Sequence, residues 1–436
     1  MAVADVLRGA ARGGITRTVL WSLRRGGDLG ASLLDPRMRA DPYPLYDRIR
    51  DEGPLVHSRL GWLTASHPLV ERVLRDPRFG HREAAPLRGV VAKALQQRNT
   101  GDLVDPVGPE SMIMMDPPDH TRLRGLVTKA FTPRTIERLR PRIERLSHDL
   151  LDAPAAAGSF DLVRDYAGIL PVLVICEVLG IPSQDRARFT RWGTDLAVAL
   201  DLSAPAGAQR RADAALVALS GYFGELFAQR RAVPADDLVS RLLEVQEAGD
   251  ALTSRELMAT CLLLLLAGFE TTTNLLGNGT HALLRNPEQL ALLRARPELL
   301  PGAVEEMLRY DSSVQLTRRI VLDDVEHEGV RLRAGVAVVT LLAGANRDPA
   351  VFADPGTFDV TRANARRHLA LAAGPHHCLG AALARLEGEV ALGVLLERFG
   401  TLALDGEPRR RPTLVLRGLQ SLPLRGTARS TVAQAG

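Results

Sequence analysis

Cys378 stands in the stretch Gly374-Pro375-His376-His377-Cys378-Leu379-Gly380, just ahead of a helical pattern with Leu379, Leu383, Leu386 and Val390 on one face. A sulfur at a helix start faces unpaired backbone N–H groups, which favour its anionic form. Gly374 and Gly380 lack a Cβ and let the backbone approach a flat group closely. His376, two residues before the cysteine, can donate to an anionic edge of that group. The ordinary role of a lone cysteine is that of a small buried hydrophobe. A thiolate between two glycines with a basic neighbour points instead to a soft ligand for a metal. The preceding Leu369–Leu371 run reads as a short strand.

A second constellation interrupts the longest helical pattern, Thr253 to Leu284. Its centre is apolar all round, as in a helix buried on all sides. Gly268, Glu270, Thr271, Thr272, Thr273 and Asn274 fall within it. Burying an unpaired carboxylate costs roughly several kcal/mol or shifts its pKa strongly. Gly at 268 weakens a helix by about 1 kcal/mol relative to Ala. Such local conflicts mark functional sites, although Thr272 and Thr273 also fit plain core hydrogen bonding. Two further pairs have helical spacing. His120 and Arg124 share one face one turn apart and could meet a dianionic edge or simply water. Glu306 and Arg309, three apart, could be an exposed ion pair worth about 0.3–0.5 kcal/mol or a buried network.

Together these stretches resemble the bacterial cytochrome P450 family. HLALAAGPHHCLGAALARLE (368–387) is similar to its cysteine-ligand loop, F-x-x-G-x-H/R-x-C-x-G. Gly374, His376, Cys378 and Gly380 match, while Leu371 stands where the family has Phe. Ala267-Gly268-Phe269-Glu270-Thr271 matches A-G-x-D/E-T at every fixed position. DPPDHTRLR (116–124), E-x-x-R followed by Ser313-Val314-Gln315 and Arg318-Arg319, and RGLQSLPL (417–424) complete the resemblance. It extends over residues 35 to 425.

The resemblance implies a mainly α fold with a small β region, the P450 helical prism. It implies haem b, with Cys378 as the iron ligand. His120, Arg124, Arg319 and His376 would hold the propionates, and Ala267 and Gly268 would border the oxygen site. Glu270 and Thr271 would be catalytic, supplying protons for O2 cleavage. Glu306 and Arg309 would form a buried structural network. The family commonly has Arg at the position of Thr357, so Arg362 is the candidate third member. Leu264, Ala267, Val314, Leu419 and the 82–112 loop would line the substrate pocket, with helices 186–200 and 209–231 as a lid. Residues 1–34 would be a flexible segment, 35–425 one catalytic domain and 426–436 a tail.

The implied function is monooxygenation, by hydroxylation or epoxidation, of an apolar or amphipathic small molecule in secondary metabolism. Electrons would come from a ferredoxin and its reductase, since the chain carries no flavin or iron–sulfur motif. Arg122, Lys129, Arg366, Arg367 and Arg385 flank the motifs of the expected docking face. Two alternatives stay open: a peroxide-driven or isomerising haem-thiolate enzyme, which would not need Glu270 and Thr271, and a non-catalytic haem-binding sensor or carrier.

Composition narrows the classes. The 55 basic and 51 acidic residues of the 436 leave a charge of only +4, too little to imply nucleic acid. Three distant cysteines, Cys176, Cys261 and Cys378, fit neither a disulfide framework nor a zinc site, and suit a reducing cytoplasm. The longest apolar run, Met258 to Phe269, is shorter than the roughly 20 residues that span a bilayer, so no transmembrane segment is expected. A monomer is expected.

Overall fold

A computed structural model describes residues 25–429 except 60, 82–102, 130, 198–205 and 248–251. Most of the expected 82–112 loop and of the lid's connecting loop lies outside the described residues. The helices of nine or more residues are α1 (Tyr43–Glu52), α2 (His67–Arg75), α3 (Asp119–Thr128), α4 (Arg140–Ala157), α5 (Leu170–Val178), α6 (Arg186–Ala197), α7 (Ala206–Ala232), α8 (Leu238–Glu247), α9 (Ser254–Arg285), α10 (Pro287–Ala295), α11 (Leu300–Tyr310) and α12 (Ala381–Arg398).

Helix α9 runs through the middle of the molecule and packs against α5, α6, α7, α11 and α12. Its start is fixed by a capping box: the Thr253 hydroxyl accepts the Glu256 N–H (3.1 Å) and the Glu256 carboxylate accepts the Thr253 N–H (2.8 Å). Asn286 and Pro287 stop it. By length and composition this helix could cross a membrane, but 78% of its most apolar window is buried inside the fold. Packing against other helices accounts for its apolar character.

The β structure is small. One sheet has the order β1 (Val56–Ser58), β2 (Gly61–Thr64), β8 (Ala337–Thr340), β5 (Thr317–Val321) and β3 (Phe79–Gly80). It is antiparallel except where β2 pairs with β8. Arg319 pairs with Val338 in this sheet and is buried. A second sheet joins β4 (Ser159–Asp161), β12 (Pro423–Ala428) and β9 (Phe399–Leu404). Two hairpin-like pairs remain, β6 (Val325–His327) with β7 (Val330–Leu332), and β10 (Arg409–Arg410) with β11 (Leu419–Ser421).

Several expectations are corrected here. The expected flexible segment is packed near its end: Leu29–Leu33 is a helix capped by Asp28, and Leu29 and Leu33 are buried against α1 residues. The expected tail begins inside β12, which continues through Ala428. The expected strand at 369–371 is a turn in which Ala372 adopts a left-handed φ of 57°. Its apolar residues serve packing, not pairing. Residues 325–332 form a tight hairpin, turned by Glu328 (φ 51°) and Gly329 (φ 74°).

The core holds paired charges. Glu306 and Arg309 are fully inaccessible and joined by two parallel bonds of 2.6 and 2.7 Å. Arg362 is the third member, 3.2 Å from the same carboxylate, and the Asp359 N–H donates to it at 2.9 Å. Arg309 also donates to the carbonyls of Asn346, Pro355 and Thr357. Removing one partner of such a pair strands a buried charge and costs roughly 3–5 kcal/mol. Arg309→Ala is therefore expected to lose about 3–5 kcal/mol in denaturant unfolding and to yield little folded protein. Arg362→Ala, whose carboxylate keeps its bidentate partner, should lose less.

Candidate active site

The sequence 374–380 folds into a short 3-10 turn, Gly374–His376, followed by an extended step into α12, whose N-cap is Gly380. Cys378 lies two residues before that cap. Its N–H donates to the Leu371 carbonyl at 2.8 Å, closing the loop on itself. Gly374 is needed for a reason other than the one expected. Its φ is +68°, and a Cβ there would sit 2.4 Å from the Leu74 carbonyl oxygen of α2. At Gly380, a Cβ would meet only the Cys378 sulfur, at 4.0 Å, so open space lies beside that sulfur.

Helix placement alone does not make the thiol acidic. Burial pushes it up, and the Gly380 N–H, Arg124 and Arg385 pull it back down without prevailing. A coordinating metal would deprotonate it outright.

Arg124 reaches the loop directly, donating to the His377 carbonyl at 2.5 Å. Its helix neighbour His120 is buried and stacks on His376, with ring centroids 4.1 Å apart. His81 joins them, 4.6 Å from the His376 ring. Sequence reasoning missed His81, because it lies 39 residues from His120 (120 minus 81) on the far side of an irregular segment.

Burial drives His81 down to about 3 and His376 to about 2, with Arg319 and the neighbouring imidazoles adding to the effect. Burial likewise lowers Arg319 to about 10, with only distant Asp116 opposing it. Among the described residues, the buried ring nitrogens His81 Nε2 and His120 Nε2 have no hydrogen-bond partner, and the Arg319 side chain donates only to Thr317 Oγ1 and the Arg318 carbonyl, each at 3.0 Å. Buried ring nitrogens without partners and a buried guanidinium opposed only by Asp116 fit a ligand that brings its own negative charge, such as the two carboxylates of haem b.

In the middle of α9, between Ala259 and Thr280, one stretch is accessible. Ala267 is exposed and Gly268 and Thr271 half-buried, whereas Leu262–Leu266, Phe269, Glu270 and Thr272 are buried. The Thr271 hydroxyl donates to the Ala267 carbonyl at 2.6 Å, and Ser313 Oγ donates to the Thr271 carbonyl at 2.8 Å. Glu270, the residue before Thr271, is buried in an ion pair with Arg411 at 2.6 Å. Leu264 is at the edge of burial and Val314 half-buried. Leu419 does not line an open space: it is 1% accessible and packs beside Gly277. A cavity of about 610 Å³ borders His81, Met114, Met115, Asp116, Thr253 and Glu256.

The family model described as Cytochrome P450 matches residues 187–422. The chain is 44% identical to the putative cytochrome P450 140 of Mycobacterium tuberculosis, across 99% of this chain and 98% of that one. It is 43% identical to cytochrome P450 monooxygenase PikC of Streptomyces venezuelae, across 91% and 94%. The crystal structure of Mycobacterium smegmatis CYP164A2 superposes with a TM-score of 0.81 at 41% identity, covering 91% of this chain and 99% of that one. The chain belongs to the cytochrome P450 family. It is therefore an oxidoreductase of the haem-thiolate monooxygenase class with haem b as cofactor, and its fold is the P450 fold.

On the cysteine side of this P450, Glu305 was not singled out in the sequence because its partners are remote. It is buried, 2.7 Å from Arg385 and 2.9 Å from His368 Nε2. These partners outweigh burial and hold its carboxyl down at about 2, against an ordinary 4.5. The ionised form therefore stabilises the fold fully above pH ~4.5, and that contribution is lost as pH falls toward 2. The difference corresponds to about 3 kcal/mol. Glu305→Gln should be less stable than the parent by about this amount at pH 7, with the gap closing as urea unfolding is repeated from pH 5 down to pH 3. A gap that stays constant with pH would contradict the assignment.

Proposed function

We propose that this P450 inserts one oxygen atom from O2 into an apolar or amphipathic small molecule, by hydroxylation or epoxidation. The observation that carries the reading is the accessible stretch Ala267, Gly268 and Thr271 in the otherwise buried middle of α9, between Ala259 and Thr280, with a carboxylate at the adjacent position. Haem b, when bound, supplies the oxygen-activating chemistry.

The chain's own residues then have separable roles. Cys378 would ligate the iron, and Arg124, which donates to the next-door carbonyl, would hold its loop. His120, His376, Arg319 and, in addition, His81 would bind the propionates with buried ring nitrogens and a guanidinium opposed only by Asp116. Ala267 and Gly268 would leave room over the reacting centre. Leu264 and Val314 would contribute apolar pocket wall. Thr271 would pass protons from its hydroxyl oxygen, which it can do by rotating away from the Ala267 carbonyl, and Glu270 would replace them.

Electrons would come from a ferredoxin and its reductase. Lys129 and Arg367 are exposed, Arg366 is exposed but lies 3.6 Å from the Glu305 carboxylate, and Arg122 and Arg385 of the expected docking face are engaged by Glu256 and Glu305. Buried free Cys176 and Cys261 suit a reducing cytoplasm. We propose a monomeric enzyme there.

Thr271→Ala tests the oxygenase reading. The probe is the first compound of an apolar library that shifts the haem absorption band of the holoprotein, reduced with a surrogate ferredoxin and ferredoxin reductase. A positioned proton donor contributes ~10²–10⁴-fold to such steps, so product per NADH should fall about tenfold or more while hydrogen peroxide rises. Compound binding and NADH use should stay near normal. Unchanged coupling would remove Thr271 from the mechanism and favour a peroxide-driven or isomerising enzyme.

A further inference from the structure

Glu270 is 1% accessible, yet its ion-pair partner Arg411 keeps 23% of its side chain exposed. The relay carboxylate is thus one side chain away from solvent, on a flank of α9 next to its open stretch. Arg411 follows β10 and is pinned by two bonds to the facing chain, its N–H to the Gly418 carbonyl (3.1 Å) and its Nε to the Leu419 carbonyl (3.3 Å). The guanidinium is therefore held at Glu270 by the C-terminal hairpin and not by the lid helices α6 and α7.

The face of α9 that meets this hairpin is polar at successive turns: Glu270, Asn274, Asn278. Asn278 donates to the Arg417 carbonyl at 2.9 Å and lies 3.4 Å from an Arg410 nitrogen. Asn274 is pressed against the hairpin so closely that a Cβ at Gly418 would sit 1.7 Å from its Oδ1. Asn274 acts on the Glu270 carboxylate, and among the described residues no other group hydrogen-bonds its side-chain polar atoms or Glu270 Oε2. A polar seam thus leads from the partly exposed Arg410 and Arg411 to the carboxylate. An apolar helix has no structural need for such a seam, since satisfied apolar packing would be as stable.

We propose that Arg411 is the positioning residue of the proton supply, holding Glu270 toward the C-terminal hairpin, and that this hairpin seam is the port by which solvent protons reach Glu270. The inference rests on the reading of Glu270 and Thr271 as the relay and adds where that relay is fed. Protons alone move: each leaves water at the seam, binds a Glu270 carboxylate oxygen and passes to the Thr271 hydroxyl, which releases its own. Among the described residues, the groups acting on Glu270 are Arg411 from the hairpin and Asn274 from its own helix. Burial raises the carboxyl and Arg411 opposes that rise.

The test uses the holoprotein of the parent, Arg411→Gln, Arg411→Ala, Arg411→Lys and Glu270→Gln. Infrared titration identifies the Glu270 carboxyl as the protonated-carboxyl band absent from Glu270→Gln. Loss of a neighbouring opposite charge should move its midpoint up by about 1–3 pH units in the Gln and Ala variants and much less in Lys. In parallel, hydrogen peroxide per NADH is measured with surrogate ferredoxin and reductase and no organic compound added. Two electrons and two protons convert O2 to hydrogen peroxide, four of each convert it to two waters, so a starved proton supply raises the peroxide yield. Arg411→Gln and Arg411→Ala should raise it, with a larger effect of D2O than in the parent, and Arg411→Lys should restore it.

A peroxide yield unchanged in both neutral variants, with Glu270→Gln raised, overturns the role of Arg411 and leaves the relay standing. A shifted midpoint with unchanged peroxide also overturns it, because Arg411 would then set charge without feeding the relay. Parent-like yield in Glu270→Gln overturns the relay reading and this inference with it. Arg411→Ala retains the backbone bond to Gly418 and carries the test if Arg411→Gln fails to fold.

Discussion

Two consecutive carboxylates, Glu305 and Glu306, are both buried on one turn of α11, and neither can remain there unneutralised. They face different ways and recruit different cations. Glu306 binds Arg309 and Arg362, which tie α11 to the segment from Asn346 to Arg362. Glu305 binds His368 and Arg385, one at the entrance of the cysteine loop and one on α12 just beyond it. The loop is thus held at both ends by one acid. Asn346 adds a further tie by accepting the Leu369 N–H at 2.6 Å. In this P450 the position of Cys378 is a consequence of how these charges are compensated.

The same logic with the opposite outcome governs the other face of the loop. Arg319, His81, His120 and His376 are gathered with one acid among the described residues, Asp116, acting against several cationic or basic groups. One network is closed within the protein, and the other is left open toward a ligand. Open networks are expensive unless something completes them. A cofactor that brings two carboxylates and a metal would satisfy the donors and stabilise the Cys378 thiolate together, so binding and folding of this region are coupled.

Motifs with short, fixed spacing were legible in the sequence: the cysteine loop, A-G-x-E-T on the buried α9, and the i,i+3 pair Glu306 and Arg309. What was not legible depends on distant chain. His81, Glu305 and Arg411 acquire their roles from partners 63 to 295 residues away (His368 minus Glu305, His376 minus His81). Leu419 failed as a pocket residue because an apolar hairpin tip packs as readily into the core as over a ligand. The 369–371 run failed as a strand because its backbone turns through a left-handed Ala372. Glu387 is the remaining surprise: it is buried on α12 with no charge partner, and burial keeps its carboxyl well above the ordinary range.

The account stands on Cys378 presenting its sulfur to a haem iron within a loop that other residues hold in place. The most direct measurement is the carbon monoxide difference spectrum of the reduced Cys378→Ser holoprotein beside its far-ultraviolet circular dichroism. The account predicts an unchanged helical spectrum with complete loss of the thiolate-type carbon monoxide band. A variant that retained that band would contradict it, and would place the ligand elsewhere in the chain.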